Sequence, residues 1–177
     1  MKSKSYILVF SFISAGLVLS CTGNRKKDDS QQNHLYTDSK KGFQMNIPAG
    51  LEKKESSAEG ITTLEFPSED DEGVTQYIIR IRLIEGEADL FSPLYEASFL
   101  SRCKCSIKER GSVQFAGRPA RHYIVSLRNG EWLGIQRHIP GKGKILIVSI
   151  TGPVSGHAEL KVLFDQISSS FRFLEKQ

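Results

Sequence analysis

Residues 121–151 read RHYIVSLRNGEWLGIQRHIPGKGKILIVSIT. They contain three strand-like runs separated by two sets of turn residues. Arg128-Asn129-Gly130-Glu131 predicts the first reversal, because Asn-Gly readily takes the positive φ angles of a type I′ hairpin turn. Pro140-Gly141-Lys142-Gly143 predicts the second. Strands are therefore expected over about residues 121–128, 131–139 and 144–151. Ile145 to Ile150 is apolar on both faces, the pattern of a central strand covered from each side.

Upstream, residues 106–115 form a fourth strand of this group, and a helix precedes it. Ser92 can cap that helix, and Pro93 suits a first helical position, which needs no backbone N–H. Leu94, Tyr95, Ser98 and Phe99 then recur at helical spacing, and the helix is expected to end near Arg102. Residues 75–85 alternate as a strand. Tyr77, Ile79, Ile81 and Leu83 share one face, and Gln76, Arg80 and Arg82 fall on the other with Ile78 and Ile84. Shorter strands are expected at 34–38, 42–47 and 61–66, the last two closed by Pro48-Ala49-Gly50 and Pro67. Downstream, a second helix begins near Ser155-Gly156 and aligns Leu160, Leu163, Phe164, Ile167 and Phe171. The order predicts an α+β fold, an antiparallel sheet with helices on both faces in an α/β/α sandwich.

The 177 residues suit one domain of ordinary size. Leu, Ile, Val and Phe make up 50 of them, well above the level of a disordered chain. The formal net charge is +4, from 24 Lys and Arg against 20 Asp and Glu. That excess is too small to indicate nucleic-acid binding by composition, and no nucleic-acid partner is expected.

The N-terminus reads as an address. Lys2 and Lys4 precede an uncharged, mostly apolar run from Tyr6 to Ser20, shorter than the roughly 20 residues of a membrane-spanning helix. Its end, Leu17-Val18-Leu19-Ser20-Cys21, resembles a bacterial lipobox, although Leu19 stands where a small residue is commoner. The resemblance implies diacylglyceryl attachment to the Cys21 thiol and cleavage before it. Residues 1–20 are then a signal peptide and 21–33 a lipidated cysteine with a polar tether, and the domain occupies 34–177. Several acyl chains hold a protein on a bilayer where one does not. The tether has no large apolar residue and, as a coil, reaches on the order of 20 Å. Thr22 is not the Asp that favours inner-membrane retention in enteric bacteria, so the outer membrane is expected over the inner.

Three stretches carry a further resemblance: Gly42-Phe43-Gln44-Met45-Asn46-Ile47-Pro48-Ala49-Gly50, Ala116-Gly117-Arg118-Pro119-Ala120, and residues 164–173, FDQISSSFRF. They resemble the opening strand, a Gly-x-Pro-Ala turn and the closing helix of PsbP-like (PsbP/Mog-type) domains. The likeness would span about residues 35–174. It implies a fold and a habit of docking onto other proteins, and it transfers no active-site residue.

Candidate chemistry is sparse. Cys103-Lys104-Cys105 offers two thiols once Cys21 is lipidated. Residues two apart are too distant for a bridge in a strand and diverge in a helix, so two separate thiols are the leading reading. A disulfide would need a turn at Lys104, and a metal site would need further ligands. His122 and His138 lie on neighbouring strands and could come close, but His34, His122, His138 and His157 show no metal-enzyme spacing. Ser68-Glu69-Asp70-Asp71-Glu72-Gly73 gathers four acids without calcium-loop spacing, and Gly141-Lys142-Gly143-Lys144 reads as a turn rather than a phosphate loop. Arg80 and Arg82 share one strand face and are the candidate binding surface. Arg118, Arg121, Arg128 and Arg137 add a potential basic stripe in the later hairpins. No Ser-His-Asp, Cys-His or paired-carboxylate arrangement stands out. The expectation is a non-catalytic envelope lipoprotein with no cofactor and no resident metal. Its partners would be the membrane, through the N-terminal lipid, and an envelope protein. A small-ligand or metal-binding lipoprotein is the alternative.

Overall fold

The computed structural model describes residues 33–174. The expected signal peptide, the expected lipidation site at Cys21 and nearly all of the expected tether lie outside the described residues. Ten strands and two helices follow one another as β1 (Asn33–Asp38), β2 (Phe43–Pro48), β3 (Lys54–Ala58), β4 (Ile61–Glu69), β5 (Thr75–Glu85), α1 (Pro93–Cys103), β6 (Ser106–Phe115), β7 (Arg118–Leu127), β8 (Trp132–Gly141), β9 (Lys144–Pro153), α2 (His157–Ser170) and β10 (Arg172–Phe173). Seven strands form one antiparallel sheet in the order β3-β4-β5-β9-β8-β7-β6, and β1-β2-β10 form a second, smaller one.

The central strand is β9, between β5 and β8. Ile145 to Thr151 are all buried, as a strand apolar on both faces requires. Leu146, Val148 and Ile150 pack in one cluster with Leu160, Phe164 and Ile167 of α2 and with Phe43, Met45 and Ile47 of β2. The intervening Ile145 and Ile147 join Tyr123 and Val125 in a second cluster under Tyr95 and Phe99 of α1. Adjacent residues of a strand point to opposite faces, so these clusters lie on opposite sides of the sheet. The molecule is nonetheless mostly antiparallel sheet with two helices, less than the full α/β/α sandwich expected. The small sheet shares the work of α2 on one side, and the other has only the eleven residues of α1 as helical cover.

Ser92 caps α1 as its sequence predicts, its hydroxyl accepting from the Tyr95 N–H at 3.2 Å. Strand β3, KESSA, escapes the sequence reading because all five residues are exposed and none is large and apolar. Two turns differ in detail from the expectation. The Asn129-Gly130 reversal is a four-residue loop between the paired Leu127 and Trp132, with positive φ at Arg128, Asn129 and Gly130. Pro140 belongs to β8, and the turn narrows to Lys142-Gly143 between the paired Gly141 and Lys144.

Pro48 and Pro153 end β2 and β9, and three further prolines sit in the interior of strands. Pro67 lies past the β3 pairing of β4, which stops at Glu65. Pro119 and Pro140 lie past the β7–β8 pairing, which stops at Arg121 and His138. Each is thus at a place with one neighbouring strand, where a missing N–H breaks no ladder on the open side.

Close approach of α2 to β9 depends on Gly152. A Cβ there would stand 2.9 Å from Leu160 Cδ1 and 3.0 Å from the Gln76 carbonyl oxygen. Gly152→Ala is expected to destabilise the fold by about 1–3 kcal/mol through overpacking, measured as a lowered urea midpoint at unchanged m-value.

Candidate functional site

The α1 face of the large sheet has a polar floor. On β5, Arg80 and Arg82 project to this side because Ile79 and Ile81 are buried on the other. Arg80 stands directly across from Glu65 of β4, and its Nε donates to the Glu65 carboxylate at 2.6 Å. Arg82 stands between Thr63 and Ile147. Its Nε is sealed from solvent and, among the described residues, has no acceptor. Burial, and then the like charge of Arg80, lower the pKa of this guanidinium. The sequence reading of Arg80 and Arg82 as one face agrees with this placement, but their environments differ. One is paired and the other is not.

Beside Arg82 runs a buried hydrogen-bonded chain. His138 of β8 is fully buried, ringed by Tyr95 and Phe99 of α1 and by Tyr123, with ring centroids 4.8–5.8 Å away. Its Nε2 lies 2.9 Å from Gln136 Oε1, which can only accept, so Nε2 carries the proton. Its Nδ1 then accepts from the Tyr95 hydroxyl at 2.7 Å. Burial above all, and then the charge of Arg82, push the His138 pKa down to about 3. Burial likewise raises that of the Tyr95 phenol. A histidine with both nitrogens engaged is suited to holding α1 on the sheet, and no nitrogen is left to ligate a metal.

Sequence reasoning missed Tyr95 and Gln136. Gln136 carried a usable signal, since it shares strand parity with His138 and so falls on the same face. Tyr95 read only as one of several apolar positions on α1.

A second feature is a cleft of about 1000 Å³ between α2 and the loop after β2. Leu51 and Tyr77 line one wall and Val162 and Leu163 the other, with Lys54, Glu69 and Glu159 among its charged residues. Asn33, the first described residue, is also part of the lining.

Cys103 and Cys105 are joined as a disulfide across a Cα separation of 5.2 Å. The leading sequence reading had two separate thiols, because neither helix nor strand brings residues two apart into bonding position. Lys104 supplies the turn that the alternative, a disulfide, was expected to need. It ends α1 in the left-handed region, φ 49° and ψ 44°, with its N–H donating to the Leu100 carbonyl.

Other candidates are dispersed. His122 pairs in register with Arg137, and His138 with Arg121, so the two histidines face opposite sides of the sheet. Asp70 organises its own turn, accepting from the N–H groups of Glu72 and Val74 and from Gln76 Nε2. No group of three metal-ligating side chains occurs among the described residues. The four later arginines form no stripe. Arg118 covers Phe173 and Arg128 covers Trp132 at opposite ends of β7, while Arg121 and Arg137 lie on opposite faces.

With this geometry the chain is similar in fold to solved proteins. It aligns with the solution structure of cyanobacterial PsbP (CyanoP) from Synechocystis sp. PCC 6803 at 16% identity and a TM-score of 0.61, covering 89% of this chain and 99% of that one. A Bacteroides thetaiotaomicron protein aligns at 14% identity and a TM-score of 0.49, covering 82% of this chain and 50% of that one. LpqN, a Mycobacterium tuberculosis protein involved in cell envelope biogenesis, aligns at 14% identity and a TM-score of 0.48, covering 81% and 91%. No protein-family model matches the sequence, and no curated protein matches it either. The first alignment supports a PsbP-like fold, and at such identity the likeness extends to fold alone.

The buried histidine makes stability depend on pH. Its folded pKa near 3 lies below the ordinary value of about 6.5. The unfolded chain therefore binds the extra proton between these values, and stability is full above pH 6.5 and falls as pH drops toward 3. His138→Gln is expected to flatten this acid limb, read as urea midpoints from pH 7 down to pH 4. Reducing the disulfide should cost only about 1–2 kcal/mol, because a ring of three residues removes little unfolded-state entropy. Urea unfolding with and without a phosphine reductant measures the difference.

Proposed function

We propose that this protein is a bacterial envelope lipoprotein, anchored through acylated Cys21, whose domain works by binding an envelope protein rather than by catalysis. The anchor reading is supported by the basic start, the short apolar run and the Leu17–Cys21 pattern, followed by a polar tether. In this reading the membrane is the outer one, on the strength of Thr22. The PsbP-like fold is compatible with an accessory module, and the α1 side would make the third layer of its sandwich.

The observation that carries the binding role is the cleft. Val162 is 59% exposed on its wall, and Leu51, Tyr77 and Leu163 join it within a charged rim. Apolar surface ringed by polar groups, in a recess of this size, suits recognition of another chain more than turnover of a substrate. A second reading, a small-ligand site, is favoured by the unpaired Arg82 on the opposite side of the sheet.

Two measurements test the proposal. Cys21→Ser is expected to abolish incorporation of labelled palmitate and to shift the protein from membrane to soluble fractions. Retained acylation would remove the anchor. A photo-crosslinking residue at Val162 should give a discrete adduct with an envelope protein in intact cells, lost on Leu51→Glu. An adduct pattern indifferent to Leu51→Glu, or none, would remove the cleft as the docking site.

A further inference from the structure

The Cys103–Cys105 disulfide has little structural work to do. It closes a ring of only three residues, which removes little freedom from the unfolded chain. The turn it spans is closed without it, because the Lys104 N–H donates to the Leu100 carbonyl oxygen at 3.2 Å. The rest of α1 is held by other contacts: the Ser92 cap, the Tyr95 hydroxyl on His138, and Phe99 packed against Tyr123 and His138. A bond that stabilises the fold so little is also opened at little cost, and exposed disulfides of this kind are the labile ones.

Its setting suits exchange with another thiol. Cys103 and Cys105 are each partly exposed, and Ser101, Arg102, Lys104 and Ser106 around them are exposed. The pair thus lies on the open surface where α1 gives way to β6. Residues 101–108 carry Arg102, Lys104 and Lys108 and no acid. Cationic surroundings draw an incoming thiolate and stabilise the one that leaves. The two sulfurs are not equivalent. Cys103 closes α1, with its Sγ 3.6 Å from the Leu100 carbonyl oxygen, at the helix end whose partial negative charge disfavours a thiolate. Cys105 follows Lys104 outside the helix and is the better leaving group.

We propose that Cys103–Cys105 is an exchangeable disulfide, which passes its bond to an exposed cysteine pair of another polypeptide. The first substrate thiolate attacks the Cys103 sulfur. A mixed disulfide forms there, the Cys103–Cys105 bond breaks, and Cys105 departs as thiolate. The second substrate thiolate then attacks the substrate sulfur of the mixed disulfide, closing the substrate's own disulfide and releasing the Cys103 thiolate. Two electrons pass from the substrate dithiol, which is oxidised, to the Cys103–Cys105 pair, which is reduced. The two substrate thiol protons end on Cys103 and Cys105. The site is on the α1 side of the large sheet, away from the α2 cleft, so this activity goes beyond the docking role and does not depend on it.

The full chain carrying Cys21→Ala, in which only this pair can react, is mixed in detergent solution with a reduced synthetic peptide containing two cysteines. Acid-quenched samples are read by mass spectrometry. One equivalent of peptide disulfide is expected per protein disulfide lost, about tenfold faster than with the same concentration of oxidised glutathione. With a single-cysteine peptide the adduct should map to Cys103. Lys104→Glu should slow the exchange about threefold at unchanged Tm, an effect that a purely structural bond would not show. The double variant Cys103→Ser, Cys105→Ser should oxidise no peptide and melt within about 10 °C of the parent. The proposal is overturned if the protein reacts no faster than oxidised glutathione, if the adduct maps to Cys105, if Lys104→Glu leaves the rate unchanged, or if the double variant fails to fold. Because Val162 cross-linking is read separately, absent exchange with intact cross-linking removes this activity and leaves the docking module standing.

Discussion

Everything in this fold is arranged around the double-sided burial of β9. A strand with Ile145, Leu146, Ile147, Val148 and Ile150 cannot leave either face in water without exposing several large side chains, each contributing about 1.5–3 kcal/mol when buried. The fold answers with strands on both edges and cover above and below. Leu160, Phe164 and Ile167 of α2, with β2, close one side, and Tyr95 and Phe99 of α1 close part of the other. The close seat of α2 over Gly152 and the capping of α1 by Ser92 are local means to that end.

The two sides are closed by different physics. Beneath α2 the contacts are hydrocarbon and aromatic, including the stacked Phe43 and Phe171. Beneath α1 a fully buried imidazole ties helix to sheet through its hydrogen bond with Tyr95 and is itself held by Gln136 of its own strand, and next to it stands an unpaired guanidinium. Buried polar chains of this kind specify one arrangement because any other leaves a group unsatisfied. The stability that an all-apolar interface would supply is forgone there. The α2 side leaves its apolar excess in a cleft lined by Leu51, Tyr77, Val162 and Leu163.

Much of the architecture was legible in the chain. The three strands of 121–151, the Ser92-Pro93 helix start and the apolar face of α2 are local or periodic signals, and each survives folding with its ends displaced by a few residues. What was illegible lacked such a signal. β3 is polar throughout and exists because β4 offers it a ladder of backbone partners. The cysteines two apart became bonded through a left-handed Lys104, a conformation that a lysine does not advertise.

The site divides along the same line. Strand alternation alone placed Arg80 and Arg82 on one face, since side chains two apart on a strand must point together. Composition and the first 21 residues set the expectation of an exported, nearly neutral domain. Only tertiary structure decided that Glu65 neutralises one arginine and not the other, and that His122 and His138 turn their backs on one another. It also decided that His138 meets a tyrosine 43 residues away. Those outcomes depend on strand register and helix placement, which are properties of the whole packed chain. A local pattern determines which way a side chain points, and packing alone determines what it meets there.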